Sequence, residues 1–268
     1  MPLDLPSLLS FLGLGALVGF VAGLLGVGGG GIMVPILTTM FLSRGIPVDK
    51  VVHLALGTSM ASIIATSIAS LRAHHARGNI NWGIVKAMSP GIVLGTFLAT
   101  FLAVNARSFQ LAVFFSLFMA YVSAQMFFDR KPEPGRRLAG ESGLLLAGAF
   151  IGAISALVSI GGGSLTVPYL VWQNLDIRKA IGTSAAIGLP ISLAGTAGYV
   201  ANGWSMTPAS AHALGFVYVP AVVLIAMASS VTAPHGARLA HRLPVRMLKR
   251  VFASLLIVLS LKMLLSVL

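Results

Sequence analysis

Long apolar stretches recur along the whole 268-residue chain, and charged residues are confined to the short gaps between them. In hydrocarbon a segment must satisfy its own backbone N–H and C=O groups, so runs of about 20 apolar residues fold as helices that cross a bilayer. Only 9% of residues are charged, against about a quarter in a soluble domain. No hydrophilic stretch is long enough to form a separate soluble domain. The expected class is an all-α polytopic membrane protein, with helices near 8–26, 51–71, 83–104, 107–127, 141–160, 180–200, 210–232 and 247–267. Two shorter apolar pieces, 32–42 and 164–173, each follow a glycine cluster. At 1.5 Å per residue a piece of that length covers about half of the roughly 30 Å hydrocarbon layer. Each long-plus-short pair is therefore expected to be a broken-helix hairpin that turns at its glycines inside the protein.

Charge placement orients this arrangement. The net charge of +12 is not a nucleic-acid signal, because the basic residues lie in the loops. Arg72, Arg77 and Lys86 flank one gap, and Arg130, Lys131, Arg136 and Arg137 fill another. Arg178 with Lys179 marks a third, and Arg238, Arg242, Arg246, Lys249 and Arg250 a fourth. These fourteen of the 18 Lys and Arg residues are assigned to the cytoplasmic face,. The charge-poor gaps near Arg44, Asn105 and Gly203 go outside. Both termini then face outward, in a bacterial-type inner membrane. The start of the chain has no basic residue before Arg44, so the basic region of a cleaved leader is not expected there,. Trp82, Trp172 and Trp204 fall at expected helix ends, as interfacial anchors do,.

The chain repeats itself. "GALVGFVAGLLGVGGGGIMVPIL" (15–37) aligns without gaps with "GAFIGAISALVSIGGGSLTVPYL" (148–170). "HLALGTSMAS" (53–62) matches "RKAIGTSAAI" (178–187), "RGNINW" loosely echoes "ANGW", and Pro90 and Pro220 occupy similar places. One transmembrane domain over 1–268 is expected, with repeat 1 at 1–128, a cytoplasmic linker at 129–140 and repeat 2 at 141–268. Each unit holds a hairpin and three single crossings. An odd number of crossings makes the two copies inverted, an architecture of secondary transporters.

The glycines suggest a site. Non-helical backbone at membrane depth survives only inside protein or against a water-filled cavity. Consecutive bare N–H groups form concave nests for anions, and the short helix that follows turns its positive N-terminal end toward the same place. Gly28, Gly29 and Gly30 in the first copy and Gly161, Gly162 and Gly163 in the second are the candidates. Pro35 and Pro168 suit the start of a short helix, where a missing N–H costs little,. Thr58 with Ser59, and Thr183 with Ser184, add hydroxyls that donate to an oxyanion without a fixed charge,. Two structural readings compete: small residues let membrane helices approach closely, and Ser and Thr bond back to their own helix.

The acidic residues discriminate among cargoes. All six, Asp4, Asp49, Asp129, Glu133, Glu141 and Asp176, lie in expected loops or at helix ends. A cation carrier keeps a carboxylate inside the membrane despite a cost of about 3 kcal/mol; the pattern here favours an anion. The absence of cysteine rules out thiolate and iron–sulfur chemistry, and no His–carboxylate pair falls in an apolar run, so an enzyme, a metal site or a cofactor is not expected,. His74 and His75 belong to a basic loop, while His53 and Arg178 at aligned places attract anions or snorkel,. His212 is expected to begin a helix, where it could titrate and couple a proton,.

With these residues the chain resembles the TauE/SafE sulfite exporter family of membrane permeases. The resemblance rests on "GLLGVGGGGIMVP" and "LVSIGGGSLTVP", each followed by a "GTS" segment, and covers essentially the whole chain. It implies movement of a small sulfur-containing or organic anion, such as sulfite, sulfoacetate or thiosulfate. It carries a role over to Gly28, Gly29, Gly30, Pro35, Thr58 and Ser59, and to Gly161, Gly162, Gly163, Pro168, Thr183 and Ser184. One departure is Gly31, where the second copy has Ser164, so the two copies need not be equal. The expected partners are a small anion and the lipid bilayer, and self-association into a homo-oligomer stays open. The alternatives are a channel for small solutes and a non-transporting membrane scaffold.

Overall fold

The computed structural model describes residues 4–25, 29–128, 139–205, 212–240 and 245–268. Gly28 and most of the expected linker, 129–138, lie outside these described residues. In chain order the elements are α1 (Leu5–Leu25), α2 (Gly30–Leu42), α3 (Val48–Ala76), α4 (Trp82–Asn105), α5 (Ser108–Phe128), α6 (Glu141–Val158) and α7 (Gly163–Trp172). There follow α8 (Ile177–Gly203), the two-residue strands β1 (Ala213–Leu214) and β2 (Val217–Tyr218), α9 (Val219–Ala240) and α10 (Val245–Ser266). Seven helices among the described residues are long and apolar enough to cross a membrane, with mean hydropathy of 1.4 to 2.1. The short pieces are helical too, α2 with 13 residues and α7 with ten.

Residue contacts give the direction of each element. The ring of Phe11, early in α1, lies 6.4 Å from Phe41 at the end of α2 and 5.9 Å from Tyr218 before α9. Gly29 packs against Val18 of α1. The chain thus doubles back, and α2 returns to the end of the bundle where α1 begins. The second pair does the same: Ala139, just before α6, donates its N–H to Gln173 Oε1, just after α7, at 3.0 Å. Each pair is therefore a hairpin and not a single kinked crossing.

The two largest helix–helix seams are reciprocal. α1 lies along α9, with Gly15 against Ile225 and Gly19 against Ser229. α4 lies along α6, with Gly91 against Leu145 and Gly95 against Ala149. Small residues let these backbones touch, which supplies packing that lipid cannot. Both pairs run parallel, because the contacts advance together in number. α3 and α8 cross the middle antiparallel, with Gly188 beside Ser67 and Gly195 beside Met60. α5 and α10 form a further antiparallel pair, tied by Ser116 Oγ to the Ser260 carbonyl at 3.1 Å. α1 starts where α9 starts, whereas α6 starts with α4, at the opposite end.

Three expectations are corrected. The helix expected at 210–232 begins at Val219, and 213–218 form an antiparallel hairpin instead. Gly215 turns it with φ of +53°, and Pro220 in the first helical turn starts α9,. His212 consequently precedes a strand, and its carbonyl accepts from Val219 N at 3.1 Å. The expected loop at His74 and His75 is the last turn of α3, where basic residues suit the negative helix end,. Trp82, Trp172 and Trp204 do lie at helix ends, with exposures of 41%, 38% and 64%.

Candidate functional site

The two glycine turns meet in the interior. A Cβ on Gly30 would fall 1.6 Å from the Ser159 carbonyl oxygen, so only glycine admits that oxygen. Ile63 of α3 bridges the turns, with Cδ1 beside Gly30 and Cγ2 beside Gly161. In the second turn Ser159 and Gly162 both take the left-handed region, at φ of 51° and 81°. Ser159 holds that shape through Oγ, which donates to the Leu56 carbonyl at 3.2 Å, and through its N–H to Ser155 O. The turn delivers Gly163 to the start of α7 with Ser184 Oγ of α8 alongside. Tyr199, fully buried, closes the region by donating its hydroxyl to the Ala156 carbonyl at 3.0 Å.

The "GTS" segments occupy matching positions and make matching contacts. A Cβ on Gly57 would lie 2.2 Å from Phe216 O, and one on Gly182 2.2 Å from Asn79 O. Two residues on, Tyr218 N donates to Thr58 Oγ1 and Asn81 N donates to Thr183 Oγ1, each at 3.0 Å. Each glycine lets a foreign strand approach, and each threonine accepts the N–H that arrives. Tyr218 and Asn81 immediately precede α9 and α4. The sequence echo between "RGNINW" and "ANGW" is thereby corrected: 79–81 correspond structurally to 216–218. The threonine oxygens are engaged as acceptors, and each hydroxyl proton still has to be donated somewhere. Ser59, beside Thr58, is fully buried and its Oγ has no partner.

Other expected residues fall as follows. The helix-start placement of the prolines is corrected: Pro35 lies inside α2 and Pro168 inside α7, each five residues past the start and so beyond the first turn, because both helices begin at the glycines,. His53 is neither in an open vestibule nor snorkelling. It is 3% exposed, with Nε2 at 3.0 Å from both the Ala103 and Ala106 carbonyls, and so fastens α3 to the end of α4. At the aligned place stands Arg178, whose N–H, with that of Lys179, is accepted by Asp176 as the cap of α8. Asp4, Asp49, Glu141 and Asp176 all stand at or just before helix starts, where a negative charge suits the positive helix end. Asp129 and Glu133 lie outside the described residues. Among the described residues no three His, Cys, Asp or Glu side chains gather in a way that could hold a metal.

Sequence reasoning missed Tyr218, Asn81, Ser155, Ser159, Thr96 and Thr166. The hydroxyls of Ser59, Thr96, Ser123, Ser155 and Thr166 are buried and have no partner among the described residues. A buried polar group without a bond costs about 1–3 kcal/mol, so each of these hydroxyls calls for an account beyond packing. The signal for the second-copy hydroxyls was present in the gap-free alignment, where they stand opposite apolar residues.

Comparison with known proteins agrees with this arrangement. The description of the "Sulfite exporter TauE/SafE" family fits residues 11–263. A "probable membrane transporter protein" of Haemophilus influenzae is 34% identical over 253 residues, covering 94% of this chain and 96% of that protein. One from Methanocaldococcus jannaschii is 27% identical, covering 94% and 93%. One from Xylella fastidiosa is 32% identical, covering 68% and 70%. No solved structure matches significantly. These likenesses, with seven apolar helices around paired glycine turns, identify a multi-pass membrane transporter and not an enzyme. The chain belongs to the TauE/SafE sulfite exporter family.

Proposed function

We propose that this transporter moves a small anion, sulfite or an organosulfonate or a related organic anion, outward across the inner membrane by alternating access. The substrate site is the place where the two glycine turns meet: Gly29 and Gly30 with Thr58 and Ser59, and Gly161, Gly162 and Gly163 with Thr183 and Ser184; Gly28 lies outside the described residues. The observation that carries this reading is the meeting of the two glycine turns, with Gly30 at the start of α2 against the Ser159 carbonyl that leads into α7 and Ile63 touching both. No carboxylate of the described residues stands away from a helix start to favour a cation instead. In this reading the halves 1–128 and 141–268 are inverted copies within one domain. The reciprocal seams, α1 with α9 and α4 with α6, and the reciprocal Gly–Thr contacts support that relation. Rocking of one copy against the other would open the site to each face in turn. Export needs no coupled ion, since one negative charge moving outward down 100 mV releases about 2.3 kcal/mol.

The test is flux in proteoliposomes holding the purified protein under an imposed potential, with sulfite, sulfoacetate, thiosulfate and acetate. Saturable flux of one anion that reverses sign with voltage is expected. Absence of flux for every anion, with or without a pH gradient, would overturn the reading, and non-saturating flux would favour a channel.

A further inference from the structure

The two glycine turns are not equivalent, and their difference assigns the ligand groups. At the first turn Gly29, Gly30 and Gly31 are all buried, and the Ser159 carbonyl presses on Gly30. At the second turn Gly161, Gly163 and Ser164 are only half-buried. α2 is buried along most of its length, whereas α7 buries Thr166 and Leu170. The chemistry differs too. In the gap-free alignment Ser155, Ser159, Ser164 and Thr166 of the second copy stand opposite Ala22, Gly26, Gly31 and Met33 of the first. Four hydroxyls on one side face none on the other.

Thr166 is the telling residue. It is 0% exposed, and its Oγ1 has no hydrogen-bond partner among the described residues. Several helical threonines bond back to their own helix, Thr38 donating to Val34 O at 2.8 Å and Thr196 to Ser192 O at 2.7 Å; among the described residues Thr96 and Thr166 have no such bond. Thr166 Oγ1 instead lies toward Gly162, 3.4 Å from where a Cβ there would be. Gly162 is the N-cap of α7, and its carbonyl already takes the N–H groups of Leu165 and Thr166. The N–H groups of Gly163 and Ser164, in the first turn, have no helical carbonyl to reach. Ser184 Oγ stands 3.8 Å from the Gly163 Cβ position on the other side. Two hydroxyls thus flank the start of ten-residue α7, Thr166 Oγ1 beside Gly162 and Ser184 Oγ beside Gly163.

We propose that the anion's oxygens are held at the start of α7, with Thr166 and Ser184 as hydroxyl donors beside the Gly163 and Ser164 N–H groups. The first turn closes the site from the opposite side without supplying side-chain donors of its own. This rests on the anion-transport reading above and narrows it to one copy. The fit is to an oxyanion with several acceptor oxygens, which matches a sulfite or sulfonate head better than a halide.

The experiment measures KM and maximal rate in proteoliposomes for radiolabelled sulfite, sulfoacetate and thiosulfate, in wild type, Thr166→Val, Thr166→Ser, Ser184→Ala and Met33→Leu. A hydroxyl bonded to a charged group contributes enough that its loss raises KM about tenfold or more. Thr166→Val and Ser184→Ala should each show that rise with monodisperse, fully inserted protein. Thr166→Ser, which keeps the hydroxyl, should restore KM to within about threefold. Met33→Leu, at the aligned place in the first copy, should leave KM unchanged. If Thr166→Val does not insert, Ser184→Ala carries the test alone. Wild-type flux with unchanged KM in both hydroxyl-deleted variants would overturn this assignment and leave the anion reading standing. Failure of the wild type to move any of the three, or acetate, would overturn both.

Discussion

Thr58 and Ser59 are neighbours in sequence, both are buried, and the structure demands opposite outcomes when their hydroxyls are removed. Thr58 Oγ1 accepts the N–H of Tyr218 across 160 residues of chain at 3.0 Å, in a buried place. Thr58→Val keeps the shape and strands that N–H. A stranded buried donor costs about 1–3 kcal/mol. Hydrogen bonds between membrane helices average only about 0.6 kcal/mol, because the unfolded chain in the bilayer also finds partners. Tyr218 precedes α9 and is fixed in a hairpin, and the upper range applies to a backbone group that cannot reorient. The expected loss is therefore about 1–2 kcal/mol. Ser59→Ala removes a hydroxyl with no partner, so it should be neutral or stabilising,. Thr183→Val should lose less than Thr58→Val, because the Asn81 N–H it serves is only partly buried. The assay is reversible unfolding by denaturing detergent in mixed micelles, without substrate, with Thr58→Ser as the rescue. A Thr58→Val protein as stable as wild type would refute the reasoning, as would a Ser59→Ala protein that loses as much.

Three further outcomes follow from the same geometry. Gly30→Ala should abolish recovery of monodisperse protein while Gly31→Ala is tolerated, since a Cβ on Gly30 meets backbone at 1.6 Å and one on Gly31 meets the movable end of Leu256 at 3.0 Å; equal yields by size-exclusion chromatography would contradict the packing of the turns. The chain has no cysteine, so an Ala139→Cys, Gln173→Cys pair should be joined efficiently by a short bis-maleimide, and no joining would argue that α7 does not return to the start of α6. Single cysteines at Leu5 and Leu268 should both react with an impermeant maleimide from outside intact cells, and labelling of only one would break the proposed topology.

Much of the architecture was legible in the sequence because the bilayer imposes it. A run of about 20 apolar residues has to become a helix, so α1, α3, α4, α5, α6 and α8 appear close to where the pattern puts them. The short apolar runs after the glycine clusters marked α2 and α7 as short helices, and the repeat marked them as partners. The miss at 210–232 has a physical cause. Ala213 to Tyr218 is as apolar as the helix that follows, and hydropathy alone does not tell a buried hairpin from a helical turn. The hairpin exists because it has somewhere to go: Phe216 reaches Gly57 and stacks on His53 at 5.2 Å between ring centroids.

By itself, then, the sequence determined the solvent of this protein, its helices, its duplication and the glycines that interrupt it. Those follow from local rules that act segment by segment, on backbone satisfaction, charge and chain stiffness. Only the tertiary structure decided that Thr58 holds Tyr218 while its neighbour Ser59 holds nothing, and that Thr166 stands buried and unbonded beside the start of α7. Membrane helices are apolar on every side, so no pattern within a helix says which hydroxyl will meet which N–H. That is settled by contacts between segments more than a hundred residues apart, packed through the few glycines that let their backbones touch.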